Sequence, residues 1–370
     1  MSSHDLPPTR EAALARLAAV DASAYARTRN HLDGAVTGLS PYLTHGLLSV
    51  PECLAALDLP TEHKLVYEFG WREFFRHVWA HRGDGILRSL HEGPLPDTAY
   101  ARELPDDIRR GATGVPVVDQ AVRTLYATGT LHNHARMWLA SYVVHGRKVH
   151  WRAGADWLYA HLLDGDLASN HLSWQWVAGT GSHKPYLFDA ANVARFAPQA
   201  WHSRGSAIDM SYEAWDDFAR SPQRLPAGPA AAPGVVEPLL TPRPLAGASP
   251  TPVQADVVWL AHPWALGEPP PGMRVIAVVI TDAHAHHPWS EQRWQWVMTR
   301  LAAMTDTCWV GPAGQVAAAL ADVPRVQTVG NPHINRWLPR QAVVAEEPRH
   351  FPAVPRVCGS FSRWWREVTG

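Results

Sequence analysis

The segment from residue 219 to 254 constrains this chain most. It contains "ARSPQRLPAGPAAAPGVVEPLLTPRPLAGASPTP". Proline there removes backbone donors, and alanine and glycine offer little side chain to pack, so such a run cannot build a core. It therefore divides the chain into residues 1–218, a linker over 219–254 that is semi-rigid where prolines cluster, and residues 255–370. A length of 370 residues with 46% hydrophobic composition is enough for a core on each side.

The two sides carry different periods. Before the linker, "EHKLVYEFGWREFFRHVWAH" places Tyr67, Trp71, Phe74, Phe75 and Val78 on one broad helical face. "SPYLTHGLLSVPECLAAL" predicts a helix with Ser40 as N-cap and Pro41 just inside it. "VPVVDQAVRTLYATG" and "NHARMWLASYVVHG" each end on a glycine suited to a C-terminal cap. After the linker, "DVVWLA" and "RVIAVVIT" read as buried strands, and "SEQRWQWVMTRLAAM" as a helix capped by Ser290. "TCWVG", "GQVAAALAD" and "RVQTVG" continue the alternation, which predicts a small doubly wound α/β domain. It has no G-x-G-x-x-G and no P-loop, so a dinucleotide or nucleotide-triphosphate site is not expected there.

The formal net charge of -1 gives no global field for nucleic acid, so any DNA contact needs a local basic patch. Cys53, Cys308 and Cys358 are too scattered for a disulfide framework or a zinc ribbon. "MSSHDLPPTREAALARL" has no apolar signal core and no long apolar run follows, so a cytoplasmic protein with no membrane association is expected. The 18 tryptophans stand out. They suit core packing, stacking or electron hopping.

Several polar groups sit among apolar neighbours. Asp164 and Asp166 flank Gly165, Arg136 precedes them and Asn170 follows. A charge in such surroundings needs a partner, and Arg136 with Asp164 is the natural pair. It serves equally as a structural ion pair or as part of a site. In "GAVTGLSPYL", Thr37, Gly38 and Ser40 precede a helix whose free N–H groups suit an anion, or simply cap it. The "HNH" at 132–134 and "HAHH" at 284–287 lack acidic or cysteine partners, and no metal is expected.

Taken in order, the motifs resemble the DNA photolyase/cryptochrome family. "YARTRNHLDGAVTGLSPYLTHGLLS" is similar to its flavin-binding entry, and "EFGWREFFRH" to its E-x-x-W-R-E-F-Y-R motif. "GATGVPVVDQAVRTLYATGTLHNHARM" resembles G-x-T-G-x-P-x-V-D-A-x-M-R-x-L…H-N-R-x-R-M, and "DGDLASNHLSWQW" resembles D-G-D-x-A-x-N-x-x-x-W-Q-W. The resemblance spans about residues 20 to 200. It implies a mainly α chain: an all-helical FAD-binding domain followed here by the small α/β domain.

By that resemblance Tyr25, Thr37, Gly38, Leu39 and Ser40 hold the phosphates and ribose of FAD, with Val36 in place of one family threonine. Arg72 lies near the cofactor. Arg136 and Asp164 pair over the flavin ring, Asp166 accepts from the ring imide, and Asn170 faces N5. Glu68, Trp71, Asn133, Met137 and Trp176 match the pocket for a flipped pyrimidine dimer in damaged DNA. Trp174 and Trp151 match the inner and middle members of an electron-transfer chain. Its outer place holds no tryptophan here, leaving Tyr100, Trp138 or Trp157 as its end. Arg29 and Lys184 are the implied DNA contacts, while the family arginine of H-N-R is His134.

The implied activity is light-driven repair of cyclobutane dimers by electron transfer from excited reduced FAD. A blue-light sensor without repair is the alternative. The family places its α/β domain first, so a circular permutation with a shortened α/β domain is expected. That domain shows no recognisable antenna site, an antenna pigment is not expected, and the chain is expected to act as a monomer.

Overall fold

The computed structural model describes residues 6–229 and 231–370. The helical part comprises α1 (Arg10–Ala18), α2 (Ala22–Thr28), α3 (Ser40–Thr44), α4 (Val50–Leu57), α5 (Lys64–Arg82), α6 (Asp106–Arg109) and α7 (Pro116–Thr128). It continues with α8 (Asn133–Ser141), α9 (Trp151–His161), α10 (Leu167–Ala178), α11 (Ala190–Phe196) and α12 (Tyr212–Ala219). The remainder holds β1 (Leu240–Thr241), β2 (Val257–Ala261), β3 (Arg274–Ile280), β4 (Trp289–Ser290), α13 (Glu291–Met304), β5 (Cys308–Gly311), α14 (Ala313–Ala319), β6 (Arg325–Val329), β7 (Ala342–Ala345) and α15 (Phe361–Thr369).

The second part is a parallel sheet of order β5-β3-β2-β6-β7. The chain builds outward from β2 through β3 to β5, then crosses back to β6 and β7, which is doubly wound connectivity. β2 and β3 are nearly continuous apolar runs because both faces of a parallel sheet are covered. The segment 219–254 is fastened rather than loose. Leu225 N–H donates to the Gly146 carbonyl at 2.8 Å, Val235 N–H to that of Arg110 at 2.8 Å, and β1 pairs antiparallel with β4.

Two local expectations change. Leu39, not Ser40, is the N-cap of α3, and Ser40 is its first residue. Pro41 at the second position, which needs no N–H there, still opens the helix. At five residues α3 is also too short to sum the dipole that would favour an anion. Second, "YVVHG" does not end α8 on a glycine cap. Tyr142–Gly146 continues as a π-helical turn. Gly129, by contrast, caps α7 in the left-handed region at φ 64°.

One core joins the two parts. It runs from Tyr42, Leu47 and Phe69 to Trp264, Ile276, Trp289 and Val297. Arg293 of α13 is fully buried and donates to the carbonyls of Tyr159 at 2.8 Å and Gly165 at 2.6 Å, with Trp289 beneath it at 3.7 Å. A Cβ at Gly165 would lie 2.4 Å from that guanidinium, so the glycine between the two aspartates is required by the contact. Burial lowers the pKa of Arg293 to about 10. His284, from the histidine run, stacks on Trp264 at 5.2 Å and is buried. No group of three or more His, Cys, Asp or Glu among the described residues is arranged to hold a metal, and no helix among them is long and apolar enough to cross a membrane.

Candidate active site

Three helices each turn one stripe toward a common cleft. α5 contributes Leu65, Glu68, Phe69 and Arg72, with Trp71 and Phe75 beside them. α8 contributes Asn133, Arg136, Met137 and Ala140. α10 and its cap contribute Asp166, Ser169, Asn170, Ser173, Trp174 and Val177. Spacings of three and four place such residues on one helical face. Tyr25, Thr37, Ser40 and Asp164 close the sides. The empty space is about 1120 Å³ with its open mouth.

The cleft is strongly ordered by charge. One Arg136 guanidinium nitrogen lies 2.9 Å from both carboxylate oxygens of Asp164, and its Nε donates to the Leu131 carbonyl at 2.8 Å. Asp166 caps α10 by accepting from Ser169 N–H at 2.8 Å, and its other oxygen is 2.9 Å from Arg76. Burial opposes the charge on Asp166, but Arg76, Arg72 and the Ser169 N–H act together against it and the carboxyl is held well below the usual carboxylate range. Leu167 N–H donates to His333 Nε2 at 3.1 Å, and His333 Nδ1 bonds Asn331 Oδ1 at 2.6 Å. His333 is therefore a neutral ring, as burial also requires.

Arg72 is half-buried on the cleft wall, and loss of solvent around its guanidinium lowers its pKa. Its one hydrogen bond among the described residues goes to the Thr44 hydroxyl at 3.2 Å, which in turn donates to the Asp164 carbonyl at 3.2 Å. A guanidinium with a neutral partner on a cleft wall is suited to an anionic ligand. Asn170 donates from Nδ2 to the Ala155 carbonyl at 2.8 Å, which fixes the plane of its amide. Glu68 has its pKa raised by burial, opposed by Arg29 at 3.6 Å.

With this geometry, residues 65–207 match the family model described as the FAD binding domain of DNA photolyase. Over this stretch the chain is similar to the photolyase/cryptochrome family. A deoxyribodipyrimidine photo-lyase of Agrobacterium fabrum is 32% identical over 209 residues, 48% of this chain and 42% of that protein. A cryptochrome DASH of Idiomarina loihiensis is 32% identical over 197 residues, 49% of this chain and 44% of that protein. A cryptochrome structure from Synechocystis sp. PCC6803 superposes with TM-score 0.49 at 25% identity, covering 62% of this chain and 56% of that chain. The chain spans less than half the length of these curated relatives.

Most residues singled out by the family motifs meet in the cleft, but some do not. Trp176 lies outside the lining, 39% exposed and tilted against Tyr186 at 5.8 Å. Two residues after Trp174, it is turned about 200° around the helix and cannot share its face. Gly38 takes φ 64° beside Arg16, and Leu39 is buried in the core, so of that loop only Thr37 and Ser40 reach the cleft. Arg29 is engaged by Glu68, and Lys184 is exposed on a loop away from the lining. Arg76 and His333 were missed. Arg76 was legible as one turn beyond Arg72, whereas nothing local marks His333.

Trp151 lies outside the cleft, buried on α9, with its Nε1 donating to Ser89 at 3.0 Å. Trp174 packs onto α9 at Gly154, one turn after Trp151, where a Cβ would come within 2.3 Å of the indole. Gly154→Ala is therefore expected to destabilise the chain by about 1–3 kcal/mol through overpacking, despite alanine's better helix propensity. Urea unfolding at equilibrium checks this, and an unchanged midpoint would refute the close packing.

Proposed function

We propose that the cleft binds FAD and that the chain splits cyclobutane pyrimidine dimers in DNA under light. The observation that carries this is the meeting of two residue sets in one cleft: Arg72, Arg136, Asp164 and Asn170 for a polar, anionic cofactor, and Glu68, Trp71, Asn133 and Met137 for a planar substrate. When bound, FAD supplies the light-driven electron that opens the ring and receives it back, so two C–C bonds break without net oxidation.

The chain's own residues orient and tune. Arg72 has the free donors for a phosphate. The Arg136–Asp164 pair forms a fixed dipole, and Asn170 presents an amide whose orientation Ala155 sets. Asp166, already committed to Arg76 and Ser169, contributes a fixed negative charge to the flavin's polar edge. Trp71 offers an aromatic wall for a base taken out of the stack. Asn133, with its amide 3.8 Å from Met137 sulfur, adds a polar and an adaptable apolar contact.

Trp174 lines the cleft, and we read Trp151 as the next electron donor behind it. His150 meets Trp151 at 5.5 Å and Tyr100 at 6.4 Å, which favours Tyr100 as the outer member. Trp138 and Trp157 are buried and hydrogen-bonded to Asn192 and Tyr126. The helical-first order supports a permuted arrangement of the family's two domains.

A sensor without repair is the second reading, favoured by Trp176 standing outside the cleft. The experiment is direct. The purified chain is loaded with FAD, reduced, and illuminated with blue light beside an oligonucleotide carrying one cyclobutane dimer. Restoration of the two pyrimidines in light but not in darkness is expected. Bound, reduced FAD with no dimer loss overturns the repair reading and leaves the sensor.

A further inference from the structure

Trp71 is held by a residue from the far end of the chain. Its indole lies face to face with the ring of Phe361, with centroids 4.1 Å apart and planes 12° from parallel. Phe361 is the first residue of α15, which Ser360 caps by accepting from Arg363 N–H at 3.3 Å. It is 3% exposed and braced by Tyr67 edge-on at 4.6 Å and by Trp365 at 5.5 Å. Trp365 in turn lies so close to α5 that a Cβ at Gly70 would fall 2.3 Å from its ring.

The segment leading into α15 is fastened to the same helix. Glu73 accepts the N–H groups of His350 at 2.7 Å and Phe351 at 3.0 Å, and His77 accepts that of Cys358 at 3.0 Å. These acceptors lie within two turns of Trp71. The rotors of Phe361 are thus set by a backbone that is itself anchored on α5. Trp71 remains half-buried and borders the cleft, with one indole face covered by Phe361.

We propose that Phe361 is a positioning residue that fixes the plane of Trp71 for stacking on a base in the cleft. The inference rests on the reading of Trp71 as the substrate wall. An indole alone on a helix face samples several orientations, and ordering it on binding costs affinity. A sandwiching ring removes that cost before substrate arrives, and aromatic pairs favour defined geometry beyond their buried area.

The test uses the full chain loaded with FAD, in darkness, with two oligonucleotides: one carrying a single cyclobutane dimer, the other undamaged. Phe361→Ala and Phe361→Leu are expected to weaken dimer binding roughly 3- to 10-fold, the weight of one aromatic pair. Binding of undamaged DNA, FAD content and flavin photoreduction should not change. Phe361→Tyr keeps the ring and should retain wild-type preference. Leucine keeps most of the volume, so it separates ring orientation from simple filling and covers the case in which the alanine variant folds poorly. Wild-type preference in the leucine variant overturns the proposal, as does equal loss on both oligonucleotides. A wild-type chain that does not prefer the dimer removes the substrate-wall reading together with this inference.

Discussion

Asp166→Asn is expected to destabilise the protein by about 3 kcal/mol, the lower end of the cost of unpairing a buried ion. Asparagine is as good an N-cap as aspartate, so the start of α10 is preserved and the loss isolates the charge. Arg76, 5% exposed, would then keep Glu347 at 3.3 Å as its one carboxylate partner among the described residues. The pH dependence has a definite sign. Asp166 has a depressed pKa in the folded chain, so its contribution is complete above the unfolded value of about 3.9 and is lost as pH falls below it. The gap between wild type and variant should therefore narrow on acidification. Urea unfolding at pH 7 and near pH 3 measures it. A gap that is absent at neutral pH, or that widens in acid, contradicts the pairing.

Glu68→Ala should lower the yield of dimer splitting per absorbed photon by about 100-fold while FAD stays bound, the usual cost of removing one donor aimed at developing charge. Burial raises the pKa of Glu68 above the ordinary carboxylate value, against the pull of Arg29. The neutral carboxyl can donate a hydrogen bond to a pyrimidine carbonyl, and the ionised one cannot. Splitting should therefore decline as pH rises through the raised pKa. Glu68→Gln, which keeps a donor without titrating, should lose less and show a flat profile. Measuring the yield from pH 4 to pH 9 distinguishes the two forms. An alanine variant that splits dimers normally, or a wild-type yield that climbs with pH, would refute this role.

Much of the fold was legible because the two periods on either side of residue 219 are strong and local. α5, α7, α8 and α13 follow from apolar spacing, and β2, β3, β5 and β6 from short β-branched runs. What failed was also local in cause. Ser40 is one residue off as a cap because Pro41 fits the second helical position as well as the first. The glycine after α8 misled because a π-helical turn needs no left-handed cap. Within the site, Arg136 with Asp164 could be paired from burial reasoning alone. Trp176 was carried in by its motif, although a two-residue offset from Trp174 opposes a shared face. The contacts of Leu167 with His333 and of Trp71 with Phe361 span the chain, and no local pattern encodes them.

The bond from Leu167 N–H to His333 bears on how the halves can be inherited. The helix that carries Asn170 and Trp174 has its first turn completed by a ring from the connection between β6 and β7. Transplanted beside a different α/β partner, the helical part would keep every cleft side chain and lose that acceptor. A change at the loop bearing His333 is therefore also a change at the start of a helix that lines the cleft.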